Sequence, residues 1–193
     1  MKINNIDNPI SRNNQKVFNL KAEKLVREAS DNFIYLKDYN KALSQIKEAL
    51  DLDPKHTKAH LLKGDLLLCT DKYQEALLSY DDAVSSNLTC AQAYGSKAGV
   101  LDMMNRQQEA LGCCEKAFEH VNYNDKQLLL ALYDQKISLL TALKHYEKAQ
   151  QVLSEAFNNL PEEDGNYLIS CYGNSIENDD KKDVSNLVLQ LVY

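Results

Sequence analysis

Asp71-Lys-Tyr-Gln-Glu-Ala-Leu-Leu-Ser-Tyr-Asp-Asp-Ala83 decides how the rest of the chain is read. Tyr73, Ala76, Tyr80 and Ala83 stand at i, i+3, i+7 and i+10, one stripe of an α-helix that alternates large and small side chains. Such a stripe suits close packing against a second helix. It recurs upstream as Tyr39, Ala42, Ile46 and Ala49. Downstream it returns as Gln107, Ala110, Cys114 and Ala117, then as Tyr146, Ala149, Leu153 and Ala156. The second positions are residues 42, 76, 110 and 149, so the steps are 34, 34 and 39 residues. A fixed period of this length predicts an all-α solenoid of stacked helix hairpins.

Between the stripes lie the first helices of the hairpins. The first is expected over about Lys21–Leu36, with Leu25, Val26, Ala29 and Phe33 on one face. Its partner is expected from about Asn40 to Leu50, stopping before Pro54, whose ring also disfavours helix at Asp53. Residues 23–56, 57–90 and 91–124 are three repeats in phase, and 130–163 is a fourth, displaced by an insertion at 125–129. The insertion Asp125-Lys-Gln-Leu-Leu129 has no proline or glycine. It is expected to lengthen the following helix by more than a turn, with Asn124 or Asp125 as N-cap. The eighth position of each repeat is Ser30, Gly64, Ala98 and Ile137. A small residue there lets the two helices of a hairpin approach, and Ile137 predicts a splayed fourth pair.

The flanks differ from this pattern. Residues 1–15 are rich in asparagine, carry Pro9 and few apolar side chains, and are expected to form a flexible tail before four units over 16–163. After Pro161 the register fails, and 164–193 are expected to form a capping helix pair. The first of these helices ends near Glu177, and the second is carried by Val184, Leu187, Val188 and Leu191. This last helix either caps the stack or makes a homodimer contact.

Composition narrows the function. The 193 residues carry a net charge of -6, which argues against nucleic acid or an anionic membrane as partner. No stretch approaches a membrane span, and the first ten residues lack the apolar core of a signal peptide. A cytoplasmic location follows, or export by a route needing no N-terminal signal. Five cysteines at no framework spacing read as free thiols in a reducing compartment. His56, His60, His120 and His145 are dispersed, with no metal-ligand spacing, and no phosphate loop or nucleophile motif is present. The expectation is therefore no catalytic residue, no metal and no cofactor.

At these positions the chain resembles the tetratricopeptide repeat family, whose pattern calls for small residues at positions 8, 20 and 27, large ones at 4, 11 and 24, and a proline near 32. His60, Gly64, Leu67, Ala76, Tyr80 and Ala83 carry it in repeat two, and Pro54 and Pro161 close repeats one and four. The family's leucine at position 7 is replaced by Ala29, Lys63, Lys97 and Lys136. The resemblance covers about 140 of the 193 residues. It implies a right-handed α-solenoid whose first helices line a concave groove, and a non-catalytic protein-interaction adaptor. By the family's groove positions, the partner-facing residues would be Arg27, Asp31, Ile34 and Tyr35 in repeat one and Leu61, Leu62, Asp65 and Leu68 in repeat two. Repeat three would add Gln92 and Ser96, and repeat four Asp134, Gln135 and Ser138.

Ile34, Tyr35, Leu61, Leu62 and Leu68 then form an apolar strip edged by acids, suited to a peptide or amphipathic helix of another protein. Some family members grip the Glu-Glu-Val-Asp tail of heat-shock chaperones, and the resemblance lets that be tested. Arg27 fits the required cations and amides, whereas Asp31, Leu62, Gln92 and Ser96 do not, so that ligand is not expected. The alternatives to an adaptor are a small secretion or assembly chaperone, similar to type III translocator chaperones, and an exported bacterial effector.

Overall fold

The computed structural model describes residues 9–177; residues 1–8 and 178–193 lie outside the described part. Nine α-helices account for the described residues: α1 Pro9–Ile34, α2 Tyr39–Leu52, α3 Thr57–Leu68, α4 Tyr73–Ser86, α5 Ala91–Met103, α6 Gln107–His120, α7 Lys126–Ala142, α8 Tyr146–Asn159 and α9 Glu162–Glu177. No strand occurs among them. The chain divides into two compact units, Met1–Thr89 and Cys90–Tyr193, one residue from the boundary between repeats two and three.

Unit 1 holds the hairpins α1–α2 and α3–α4. The stripe residues Ala42, Ile46 and Ala49 of α2 and Ala76, Tyr80 and Ala83 of α4 have no exposed surface. Helix α1 begins at Pro9, so the tail expected over 1–15 overlaps a helix. Proline suits a first helical turn, where its missing N–H costs nothing, and Gln15 Nε2 donates to Asn19 Oδ1 one turn on at 2.9 Å. Helix α2 ends at Leu52, two residues before Pro54. Asp38 caps its start by accepting from Lys41 N at 3.0 Å. His56 caps α3, its Nδ1 accepting from Ala59 N at 3.3 Å while Nε2–H reaches Glu23 at 2.9 Å.

Unit 2 holds the hairpins α5–α6 and α7–α8, followed by α9. Ala110, Cys114, Ala117, Ala149, Leu153 and Ala156 are buried, as their stripe predicts. The insertion lengthens α7 to 17 residues, against 12 for α3 and 13 for α5. Asp125 is its N-cap, accepting from Leu128 N at 3.1 Å. With Ile137 at the eighth position, α7 and α8 form a more open pair than the hairpin α5–α6. Helix α9 packs on α8 and α7 through buried Leu168 and Ile176. A Cβ at Gly165 would lie 2.7 Å from the Phe157 ring of α8, so that glycine sets the approach. The second expected capping helix, at Val184–Leu191, lies outside the described residues.

The turn inside each hairpin repeats with the same period. Lys37, Asp71, Asn105 and Lys144 all have positive φ, between 55° and 60°. In three hairpins the residue that follows donates five positions back: Lys72 N to Leu67 O (3.0 Å), Arg106 N to Leu101 O (2.8 Å) and His145 N to Leu140 O (2.8 Å). These bonds close a Schellman-type helix end, where glycine is the usual left-handed residue. Asp and Asn tolerate that conformation through local hydrogen bonds, but lysine has no such compensation. Lys37→Gly and Lys144→Gly are therefore expected to raise stability by about 1 kcal/mol each, and Asp71→Gly and Asn105→Gly by less. Urea denaturation of the four variants checks the order; a loss of stability in both lysine variants would refute it.

Candidate functional site

The two units place the expected groove residues very differently. In unit 1, Arg27 and Asp31 of α1 are exposed. Ile34 and Tyr35, at its end, are 49% and 76% exposed, and Leu36 follows them into solvent. Leu68 is half-buried at the end of α3, one repeat period after Ile34, on a helix that packs against α1. Leu61 and Leu62, expected in the open strip, are only 6% and 9% exposed. Leu62 belongs to the core with Ala22, Val26 and Ala29 of α1 and Ala42, Ile46 and Ala49 of α2. The continuous strip is thereby corrected: its middle is core packing, and its exposed part is the Ile34–Tyr35 end. Asp65 is not a groove edge either. It is half-buried and accepts from the Tyr80 hydroxyl at 2.6 Å. Burial raises its carboxyl above the ordinary aspartate range, partly offset by that hydrogen bond.

In unit 2, Gln92 is exposed and Ser96 half-buried on α5. The three residues of α7 are engaged inside the unit. Tyr172 of α9 donates to Asp134 Oδ1 at 2.9 Å, and Ser138 also faces that hydroxyl. Burial and the Asp134 carboxylate push the Tyr172 phenol up. Gln135, with its amide oriented to match its neighbours, donates to Gly95 O at 3.3 Å and accepts from Gly99 N at 2.9 Å. A Cβ at Gly95 would lie 2.9 Å from Leu132, and one at Gly99 3.3 Å from Gln135, so the two glycines admit α7 against α5. Asp134, Gln135 and Ser138, all half-buried, therefore take part in holding α7 to α5 and α9.

Several functional-looking residues are structural. His60 is buried, and its Nε2–H donates to Pro54 O at 2.9 Å, fixing the loop that starts α3. Cys114 is buried with its thiol pushed up to about 12 by desolvation, which makes it an inert core residue. Among the described residues no three His, Cys, Asp or Glu side chains are placed to hold a metal ion, and no helix is long and apolar enough to cross a membrane.

Sequence reasoning missed the polar ladder between α1 and α2. Buried Asn32 donates to Glu28 O at 2.8 Å and to Gln45 Oε1 at 2.7 Å, and Gln45 donates to Glu28 Oε2 at 3.2 Å. The signal lay in the repeat register, where the equivalents of Asn32 are Leu66, Val100 and Leu139.

No protein-family model matches this sequence, and no curated protein matches it. Solved structures do match. The chain is similar to MamA at a TM-score of 0.63 and 20% identity, over 77% of this chain and 85% of that one. It is similar to YrrB, a TPR protein with an unusual peptide-binding site, at a TM-score of 0.63 and 17% identity, over 94% and 89%. The first TPR of Spaghetti, bound to the HSP90 peptide SRMEEVD, matches at a TM-score of 0.57 and 18% identity, over 65% and 95%. With helices paired in phase with the sequence period, these likenesses give the chain the all-α solenoid fold of the tetratricopeptide-repeat proteins.

Proposed function

We propose that the chain is a non-catalytic adaptor that holds a peptide or amphipathic helix of a partner protein on the first-helix face of unit 1. The observation that carries this reading is the run Ile34, Tyr35 and Leu36 at the end of α1, three consecutive exposed apolar residues. Leu68 continues it on α3, and Asp31 stands exposed one turn before Ile34. An exposed aromatic beside aliphatic side chains is the usual anchor of a peptide interface. The fold is one in which YrrB and the Spaghetti domain bind peptides, which supports an interaction role over a catalytic one.

The experiment is affinity purification with mass spectrometry from the native organism, comparing wild type with Ile34→Glu/Tyr35→Glu. Both residues are exposed, so the variant is expected to keep its circular dichroism spectrum. Recovery of the partner is expected to fall at least about tenfold, as for loss of a hot-spot pair. Equal recovery would remove this face from consideration. A Leu61→Glu/Leu62→Glu variant is no substitute, because it would put carboxylates into packed positions. A labelled Met-Glu-Glu-Val-Asp peptide titrated in parallel is expected not to bind: Asp31 opposes its acids and Leu62 is packed away.

A further inference from the structure

Helix α1 is longer than its counterpart in the next hairpin. It starts at Pro9, whereas α3 starts at Thr57, one 34-residue period after Glu23. The added length continues the partner face. Val17, Leu20, Lys24, Arg27, Asp31 and Ile34 follow one another at intervals of 3, 4, 3, 4 and 3 residues, the heptad spacing by which one helix seats another. All six are exposed, Val17 and Leu20 by more than half. In α3 the matching residues Leu61, Asp65 and Leu68 are buried or half-buried, so the open seam is a property of α1.

Ile34 follows Val17 by 17 residues, about 25 Å along the helix axis. Apolar side chains mark both ends, Val17 and Leu20 at one and Ile34 with Tyr35 at the other. The middle is charged, with Lys24 and Arg27 and then Asp31. Lys24 reaches Glu28 at 3.6 Å, but that pair is solvent-exposed and worth little, so a carboxylate arriving over the seam competes for the ammonium. Polar residues at heptad positions fix register at a cost in packing, and here they define what must face them. An extended peptide is a poor fit. It needs partners for its own N–H and C=O groups, which a helix satisfies internally, and the seam carries no amide side chain between Val17 and Ile34.

We propose that this seam holds one amphipathic helix of a partner protein along its whole length, with an apolar residue at each end and carboxylates against Lys24 and Arg27. The seating rests on the adaptor role proposed above and adds the form, length and charge of the bound segment. At the Ile34 end Asp31 calls for a basic residue, so the bound helix carries acid and base in a fixed order. Such a helix covers the seam with about 17 residues, nearly five turns. The same reach takes about eight residues of extended chain.

Cross-linking in the native organism tells the two lengths apart, with a benzophenone amino acid placed at position 17 or at position 34 of the full-length chain. Both sites are exposed, so neither disturbs the core. Both adducts are expected to contain the same partner, with attachment points about 17 residues apart in its sequence. Attachment points about eight residues apart would make the bound segment extended and overturn the proposal. An adduct at one position alone would overturn it too, as would an adduct at position 17 with the mass of this chain alone or of its dimer. In these cases the adaptor role stands as long as position 34 still attaches to another protein; no adduct at either position would remove that role as well. The charges are tested in the chain labelled at position 17. Lys24→Glu/Arg27→Glu is expected to lower its adduct yield at least about tenfold, by setting like charges face to face. Lys24→Gln/Arg27→Gln, a milder change on an exposed helix face, is expected to lower it at least about threefold. An unchanged yield in the glutamine variant would overturn the assignment of carboxylates to this part of the seam.

Discussion

Gly64→Ala is expected to destabilise unit 1 by about 3 kcal/mol, the upper end of the usual overpacking cost. A Cβ there would overlap the Tyr80 ring, with Cζ at 2.7 Å and Cδ1 at 2.8 Å. The ring has little room to yield. It is fully buried, and its hydroxyl is tied to Asp65 at 2.6 Å. The α3–α4 hairpin is therefore a lock in which an absent side chain on one helix makes space for the largest core residue of the other. The same pair of repeat positions reads Ser30 with Ile46, Ala98 with Cys114 and Ile137 with Leu153. A residue larger than alanine at the first position thus coexists with leucine at the second. Gly64→Ala/Tyr80→Leu is accordingly expected to recover part of the loss, though not all, since Asp65 loses its donor. Urea denaturation of the two single variants and the double variant measures the coupling. If Gly64→Ala matched wild type to within about 0.5 kcal/mol, the close approach of α3 and α4 would not be the constraint argued here.

This lock was half legible in the sequence. A close-packed hairpin demands small against large at fixed spacing, and that demand is local and periodic, so the stripes, the hairpins and the extra turn of α7 could be read directly. The burial of Leu61 and Leu62 could not. Family position assigns them outward, but Leu62 joins the core cluster that Ala22 and Val26 of α1 share with the stripe of α2, a gathering of three helices that no single-helix pattern announces. The engagements of Asp65, Asp134 and Gln135 were also hidden, because each joins residues of different helices. Tyr172 reaches Asp134 across 38 residues, a pairing no local pattern announces. The start of α1 at Pro9 is hidden for the opposite reason: low apolar content speaks against a packed helix, whereas a helix start needs only acceptable propensity and a good first turn. The left-handed turn residues escaped because none of the four is glycine.

Tyr80→Phe is expected to cost about 1–3 kcal/mol at neutral pH, and the cost should shrink on acidification. Nothing but a hydroxyl is removed, and the ring still fills the space above Gly64. What changes is Asp65, left half-buried without its donor, and an unsatisfied buried polar group carries about that penalty. Because burial raises the carboxyl pKa in the folded protein, the folded state holds the Asp65 proton more tightly than the unfolded chain does. Its contribution to stability is thus fully present below the unfolded pKa of 3.8 and is lost as pH rises through the higher folded value. The Tyr80 hydrogen bond opposes that rise, so Tyr80→Phe should push the folded pKa further up and extend the window of lost stability toward neutrality. Once Asp65 is protonated, the wild type loses the charge-assisted bond that Tyr80→Phe already lacks, and the two stabilities should draw together. Asp65→Asn keeps an acceptor for the Tyr80 hydroxyl without a titrating charge, and in that background the Tyr80→Phe cost should be independent of pH. Urea denaturation of the four proteins across acid to neutral pH closes the cycle. A Tyr80→Phe deficit that grew on acidification, or one that kept its pH dependence with Asn at position 65, would rule out this pair as its source.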